Sequence, residues 1–222
     1  MLARRNEGPQ SALEILRRWQ QPREHAPLGW SYASLRGILA ELSAPGLGGG
    51  LLTEATLQLA AAQRQGGLVC LIHSDPAIMP YPPDLQRCGV DVRALLCVRL
   101  ATPELALRAA IRVGQSSAFA LILVDLCQLP WQRRTPPLSP PQVTPYLARL
   151  AAWCRKSEHA VLFLTLKEAE APSLGPLITL RACLQAQPER GVDAYRVEVT
   201  KDKRGGPRPG PQRSPLLPSG LG

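Results

Sequence analysis

Five short apolar runs punctuate the chain, and helical spacing fills much of the sequence between them. "ILAEL" (38–42), "LVCLI" (68–72), "LLCVR" (95–99), "FALILVDL" (119–126) and "AVLFLTL" (160–166) carry few polar residues, as strands covered on both faces do. After the first run, Leu52, Ala55, Leu59 and Ala62 share one face of a helix that Gly66 and Gly67 end. Thr102 caps and Pro103 opens a second helix, reaching to Val113. Thr144 and Pro145 open a third, with Leu147, Leu150, Ala151 and Cys154 on its inner face. Strands alternating with helices of this length predict an α/β domain with a mostly parallel sheet flanked by helices.

The two ends follow other patterns. Ile178, Leu180, Ala182, Leu184 and Ala186 fall on every second position, and Tyr195, Val197 and Val199 repeat this after "PERGVD". That alternation predicts a C-terminal antiparallel hairpin with one solvated face. Near the start, Ser11 and Glu14 form a capping box, and Ala12, Ile15, Leu16 and Trp19 share a helix face until Pro22. The organisation expected is an N-terminal helix and linker over 1–33, a core domain over 34–202, and a basic Pro/Gly-rich disordered tail over 203–222.

Composition narrows the partners. A chain of 222 residues has room for one substantial core. The 26 basic against 17 acidic residues leave a net charge of +9, which favours an anionic partner such as nucleic acid. "MLARRNEGPQ" lacks the apolar stretch of a secretory signal, and no apolar run nears the roughly 18 residues of a membrane helix. A cytoplasmic protein without a membrane partner is therefore expected. The six cysteines form no C-x-x-C pair, which predicts reduced core thiols. His25, His73 and His159 lack ligand spacing, so no metal is expected.

Candidate chemistry centres on "SAPGLGGGLL" (43–52), which has the glycine density of a phosphate-cradling loop between a strand and a helix. With Gly50 as the last glycine of a G-x-x-x-x-G-K-[ST] pattern, Leu51 stands at the lysine position and Leu52 at the hydroxyl position. Losing the lysine's charge-assisted bond costs roughly 1.5–3 kcal/mol, or about one to two orders of magnitude in affinity. Gly46, Gly48, Gly49 and Gly50 with Leu51 and Leu52 thus read as a degenerate nucleotide site, with Asp125 as the strand-end magnesium carboxylate and Asp75 as the water-activating acid. No bound cofactor and no catalysis are expected. Trp131, Arg133 and Arg134 could stack on and pair with single-stranded DNA. Lys203, Arg204 and Arg208 could add nonspecific phosphate contacts.

Several segments resemble the RecA family, in collinear order from about residue 35 to about residue 205. "ILAELSAPG" is similar to the strand entering RecA's phosphate loop, and "LQLAAAQRQGG" to the helix that follows it. "PPDLQRCGVDVRALLCVRLATPELALRA" resembles the segment in which an "LGVD" turn leads to a strand and a helix. "LILVDL" resembles the Walker B strand, and "YRVEVTKDK" the last core strand with its lysine pair. With its ruined phosphate loop and "KDKRGGPRPGP" ending, the chain looks most like the ImuA family, the short RecA-like accessory proteins of a bacterial mutagenesis cassette.

The resemblance implies a RecA-like core, with Asp75 on the catalytic glutamate and Asp125 on the Walker B aspartate. It makes Lys201 and Lys203 the lysines that, in RecA filaments, reach a neighbour's ATP. It puts the two DNA loops at 128–141 and 167–176. It makes Ile15, Leu16 and Trp19 a candidate partner-binding helix face. It implies a non-catalytic adaptor of DNA-damage-induced (SOS) mutagenesis and translesion synthesis, nucleoid-associated after damage. That adaptor binds an ImuB-like inactive polymerase homologue and RecA itself, which it regulates, and reaches an error-prone replicative-type polymerase indirectly. Two alternatives stand beside it: a weak ATPase dependent on single-stranded DNA, and a SulA-like inhibitor of cell division.

Overall fold

The structure is a computed structural model, and it describes residues 29–46, 50–74, 80–127, 139–187 and 195–204, together with the backbone of 212 and 213. The strands are β1 (Leu39–Ala44), β2 (Leu68–His73), β3 (Leu95–Arg99), β4 (Phe119–Asp125), β5 (Ala160–Leu166), β6 (Leu180–Ala186), β7 (Tyr195–Asp202) and β8 (Gln212–Arg213). They form one sheet in the order β3-β2-β4-β5-β1-β6-β7-β8. All neighbours from β3 to β6 pair in parallel, whereas β7 and β8 are antiparallel additions. The helices are α1 (Tyr32–Leu35), α2 (Leu51–Arg64), α3 (Pro82–Arg87), α4 (Pro103–Gln115) and α5 (Pro140–Ser157).

Two apolar cores sandwich the sheet, because each central strand points alternate residues to opposite faces. Ala40, Leu42, Leu162 and Leu164 meet Ala55, Leu59 and Ala62 of α2 on one face. On the other, Leu39, Ile122, Val161 and Phe163 meet Ala106, Leu107 and Ala110 of α4 and Leu147, Leu150 and Cys154 of α5. Four of the five apolar runs are inner strands buried on both faces, whereas the fifth, β3, is an edge strand whose residues are half-buried or exposed.

Four expectations need correction. The third helix begins at Pro140 rather than Thr144, because Ser139 caps it: its backbone N–H and hydroxyl both donate to Gln142 Oε1, at 2.8 Å each. Pro145 therefore lies inside the helix. The hairpin's second face is only partly solvated: on β6, Arg181 and Cys183 are buried along with Leu180 and Ala182, whereas Arg196, Glu198 and Thr200 of β7 keep the expected half-buried or exposed alternation. Within the expected disordered tail, Gln212–Arg213 pairs with Val197 and Arg196, taking up backbone groups along the outer edge of β7. The core also starts earlier than residue 34, with Trp30 and Tyr32 buried against α1's Leu35.

All six cysteines are free thiols, and only Cys97 is partly accessible. Burial pushes Cys70 and Cys154 up to about 12 and Cys88 up to about 11, leaving almost no thiolate at neutral pH. An aromatic disulfide reagent at pH 7 will modify Cys97 first, and the other thiols only as the protein opens. In urea all six will react together. Fast native labelling of Cys70 or Cys154 would contradict this packing.

Candidate functional site

The chain changes direction at the carboxyl edge of the sheet. From β1 it crosses through α2 over one face, while β3–α4–β4 and β4–α5–β5 cross over the other. Where connections leave on opposite faces, the strand ends part and make the crevice in which α/β proteins bind ligands. The glycine turn after β1 and Asp125 at the end of β4 both lie on this edge, with β5 between their strands.

Side chains of the protein itself occupy the turn. Gly50 caps α2 with φ +127°, and its carbonyl accepts the Glu54 N–H at 2.7 Å. A Cβ at Gly50 would come within 2.6 Å of Tyr195 Cδ1, so glycine is required by backbone and by neighbour alike. Leu51 is only 6% exposed and belongs to the core beneath α2, with Leu52 packed against the same cluster. Glu54, also buried, puts a carboxylate in the first turn, held by Tyr195 Oη at 3.3 Å and Gln58 Nε2 at 2.8 Å. That charge sits where the helix dipole would favour an incoming anion, and it repels one. Gly46 is exposed, while Gly48 and Gly49 lie outside the described residues.

Asp125 is committed in the same way. Its Oδ2 lies 3.1 Å from His73 Nδ1, and its Oδ1 accepts the Cys127 N–H at 2.9 Å. Both oxygens therefore already hold bonds within the protein. Beyond the pair, His73 Nε2 and the Ser74 hydroxyl are buried without hydrogen-bond partners among the described residues. Asp75 lies outside the described residues, as do Trp131, Arg133, Arg134, Arg208, and the helix face of Ile15, Leu16 and Trp19. Among the described residues no three His, Cys, Asp or Glu side chains converge on a metal position. No described helix is long and apolar enough to cross a membrane.

The segment matched to the second DNA loop, 167–176, is tied to the sheet. Glu41, with no exposed surface, is bridged by Lys167 Nζ at 2.7 Å and accepts the Thr165 hydroxyl at 2.8 Å and the Leu174 N–H at 2.7 Å. Beside it, Arg181 donates to Ser43 Oγ at 3.1 Å and to the carbonyls of Glu168 at 2.6 Å, Ala169 at 3.1 Å, and Ala171. The lysine pair serves this segment too. Lys201 Nζ donates to Ser173 Oγ at 2.7 Å, and Lys203 Nζ donates to the Pro176 carbonyl. Burial, with Lys203 nearby, pulls Lys201 below its usual pKa. Arg204 is engaged as well, forking onto Asp202 at 3.0 Å and donating to the Ser34 carbonyl at 2.6 Å.

His73, Glu41, Glu54 and Arg181 escaped the reading of the sequence. A signal was present for two of them: Glu41 and Arg181 are ionic residues inside apolar strand patterns, where an unpaired charge is too costly to persist. A surface was also invisible, because Leu68 (46% exposed) and Leu96 (41%) project from one face of the sheet beside the β3 edge. The chain matches no protein-family model and no curated protein sequence.

Two substitutions check this account. Gly50→Ala will cost about 2 kcal/mol or more in urea unfolding, against less than about 0.5 kcal/mol for alanine at exposed Gln65. Glu41→Gln leaves the half-buried Lys167 ammonium without its counter-charge and will cost about 2–3 kcal/mol. Near-neutral results would mean that these contacts are not formed.

Proposed function

We propose that this chain is a non-catalytic, RecA-like adaptor of DNA-damage-induced mutagenesis. It joins an ImuB-like inactive polymerase homologue, and RecA itself, to translesion synthesis. The observation that carries the reading is Leu51, buried in the core at the position where a phosphate-binding lysine would stand. Leu51, Glu54 and the His73–Asp125 pair stand where the resemblance would put the lysine, the anion and the magnesium, and this supports a reading without nucleotide chemistry. The collinear run of β1, α2, the "CGVD" turn, β3, α4 and β4 supports the RecA-like assignment of the fold.

With the nucleotide edge filled, what remains for function is surface. RecA-type proteins join through segments laid on a neighbour's core, and an outer strand is suited to capturing a peptide by strand addition. β3 is the outermost strand on its side, and Leu96 and Leu68 supply apolar anchoring beside it.

The test is a tagged pull-down from DNA-damaged cells with wild type and Leu96→Asp, partners being identified by mass spectrometry. Recovery of the polymerase-like protein or RecA, insensitive to nuclease and at least about tenfold weaker in Leu96→Asp, is expected. Recovery of the tubulin-like division protein instead, or of nuclease-sensitive material alone, would overturn the adaptor reading. In parallel, millimolar Mg-ATP will shift Tm by less than about 1 °C, since a nucleotide that does not bind the native state cannot stabilise it. A larger shift, with hydrolysis lost in Asp125→Asn, would return the weak-ATPase alternative.

A further inference from the structure

A groove runs between α4 and α5, on the outer side of the helix layer that covers one face of the sheet. Its wider part, about 630 Å³, is lined by Arg108, Ile111, Arg112, Pro145, Tyr146 and Arg149. A narrower continuation of about 460 Å³ shares Ile111 and Arg149 and passes Gly114, Leu150 and Trp153. Gly114 brings the helices together here, since a Cβ on it would come within 3.2 Å of the Trp153 ring.

The charge of this groove is unbalanced. No carboxylate lines it, and the nearby Glu104 accepts the Tyr146 hydroxyl at 3.1 Å and lies 3.9 Å from Arg108 Nε. Three guanidiniums thus share one adjacent acid. Ile111, Pro145 and Leu150 give it apolar surface, and the Trp153 indole N–H is buried without an acceptor among the described residues.

We propose that this groove is a docking site for an acidic amphipathic helix of a partner protein. Its carboxylates would fork onto Arg108, Arg112 and Arg149, and one apolar side chain would rest on Ile111 and Gly114. Guanidinium–carboxylate forks give such a contact both strength and direction, and paired helices offer the groove that a third helix fits. The chain's own outlying segments do not suit it: residues 1–28 hold five arginines against three glutamates, and 205–222 hold arginines and no acid. A second copy, at +9, is repelled in the same way. Single-stranded nucleic acid fits less well because it needs free aromatic faces in succession. Here the Trp153 ring is already stacked on His159, with centroids 4.9 Å apart. The proposal does not rest on the adaptor reading, for it concerns the outer side of the α4–α5 layer rather than the strand edge of β3.

The test uses fluorescence anisotropy on the full chain with labelled probes, a lysine-flanked control peptide and the following three. One is a helical peptide with leucines on one face and glutamates flanking them, the second its Glu-to-Gln version, and the third a single-stranded oligonucleotide. The acidic peptide is expected to bind saturably and to weaken at least about tenfold in Arg112→Glu/Arg149→Glu, a change in exposed residues that leaves Tm unaltered. Arg93→Glu, on the far edge and 90% exposed, is expected to change nothing. A lysine-flanked peptide should bind the double variant and not the wild type. No saturable binding of the acidic peptide, equal loss in Arg93→Glu, or tighter arginine-dependent binding of the oligonucleotide would overturn the proposal, the last assigning the groove to nucleic acid.

Discussion

A carboxylate with no exposed surface stands in the middle of the sheet, and much of the molecule is arranged to tolerate it. Glu41 projects from β1, between β5 and β6, on the face that α5 leaves partly open. An ionised carboxylate there is sustainable only if a cation and several donors surround it. Lys167 supplies the cation, Thr165 a hydroxyl and Leu174 a backbone N–H, so the chain after β5 must fold back over β1 and β6. Arg181 then faces the carbonyls of that returning segment rather than water. This one charge explains why the first half of β6 is buried on both faces. It also explains why a segment that would otherwise be a free loop is bound to the sheet.

The carboxyl edge follows a related logic. Each feature that could meet a nucleotide has instead met a side chain of the protein. Tyr195 covers the cap glycine, Leu51 joins the core, Glu54 supplies the first turn of α2 with its own negative charge, and His73 holds Asp125. These contacts support one another, because the ring that excludes a Cβ at Gly50 also donates to Glu54. A lysine placed at position 51 would bury a charge in an apolar cluster.

Much of the net positive charge is drawn inward by such arrangements. Lys167, Arg181, Lys201 and Arg204 hold parts of their own chain, so the count of basic residues overstates the basic surface available to a partner. The arginines between α4 and α5 differ, being exposed around a groove without an acidic lining. Local concentration of charge, rather than the total, distinguishes a recognition surface from a solvated one.

The strands, three of the helices and the α/β class were legible because they depend on near-neighbour patterns: apolar runs, helical spacing, glycine stops and proline starts. Leu51's unfitness for phosphate was equally legible, being a matter of residue type. The start of α5 was not, since Ser139 and Thr144 each precede a proline and only the bonds to Gln142 separate them. Strand order, the His73–Asp125 pair, the burial of Glu41 and Arg181 and the groove of arginines all join residues far apart in the chain. His73 and Asp125 are 52 positions apart, and Glu41 and Leu174 are 133 apart. Local sequence determined which segments became strands and helices; only tertiary packing decided which charges were enclosed, because a charge is paired by whatever the fold brings beside it.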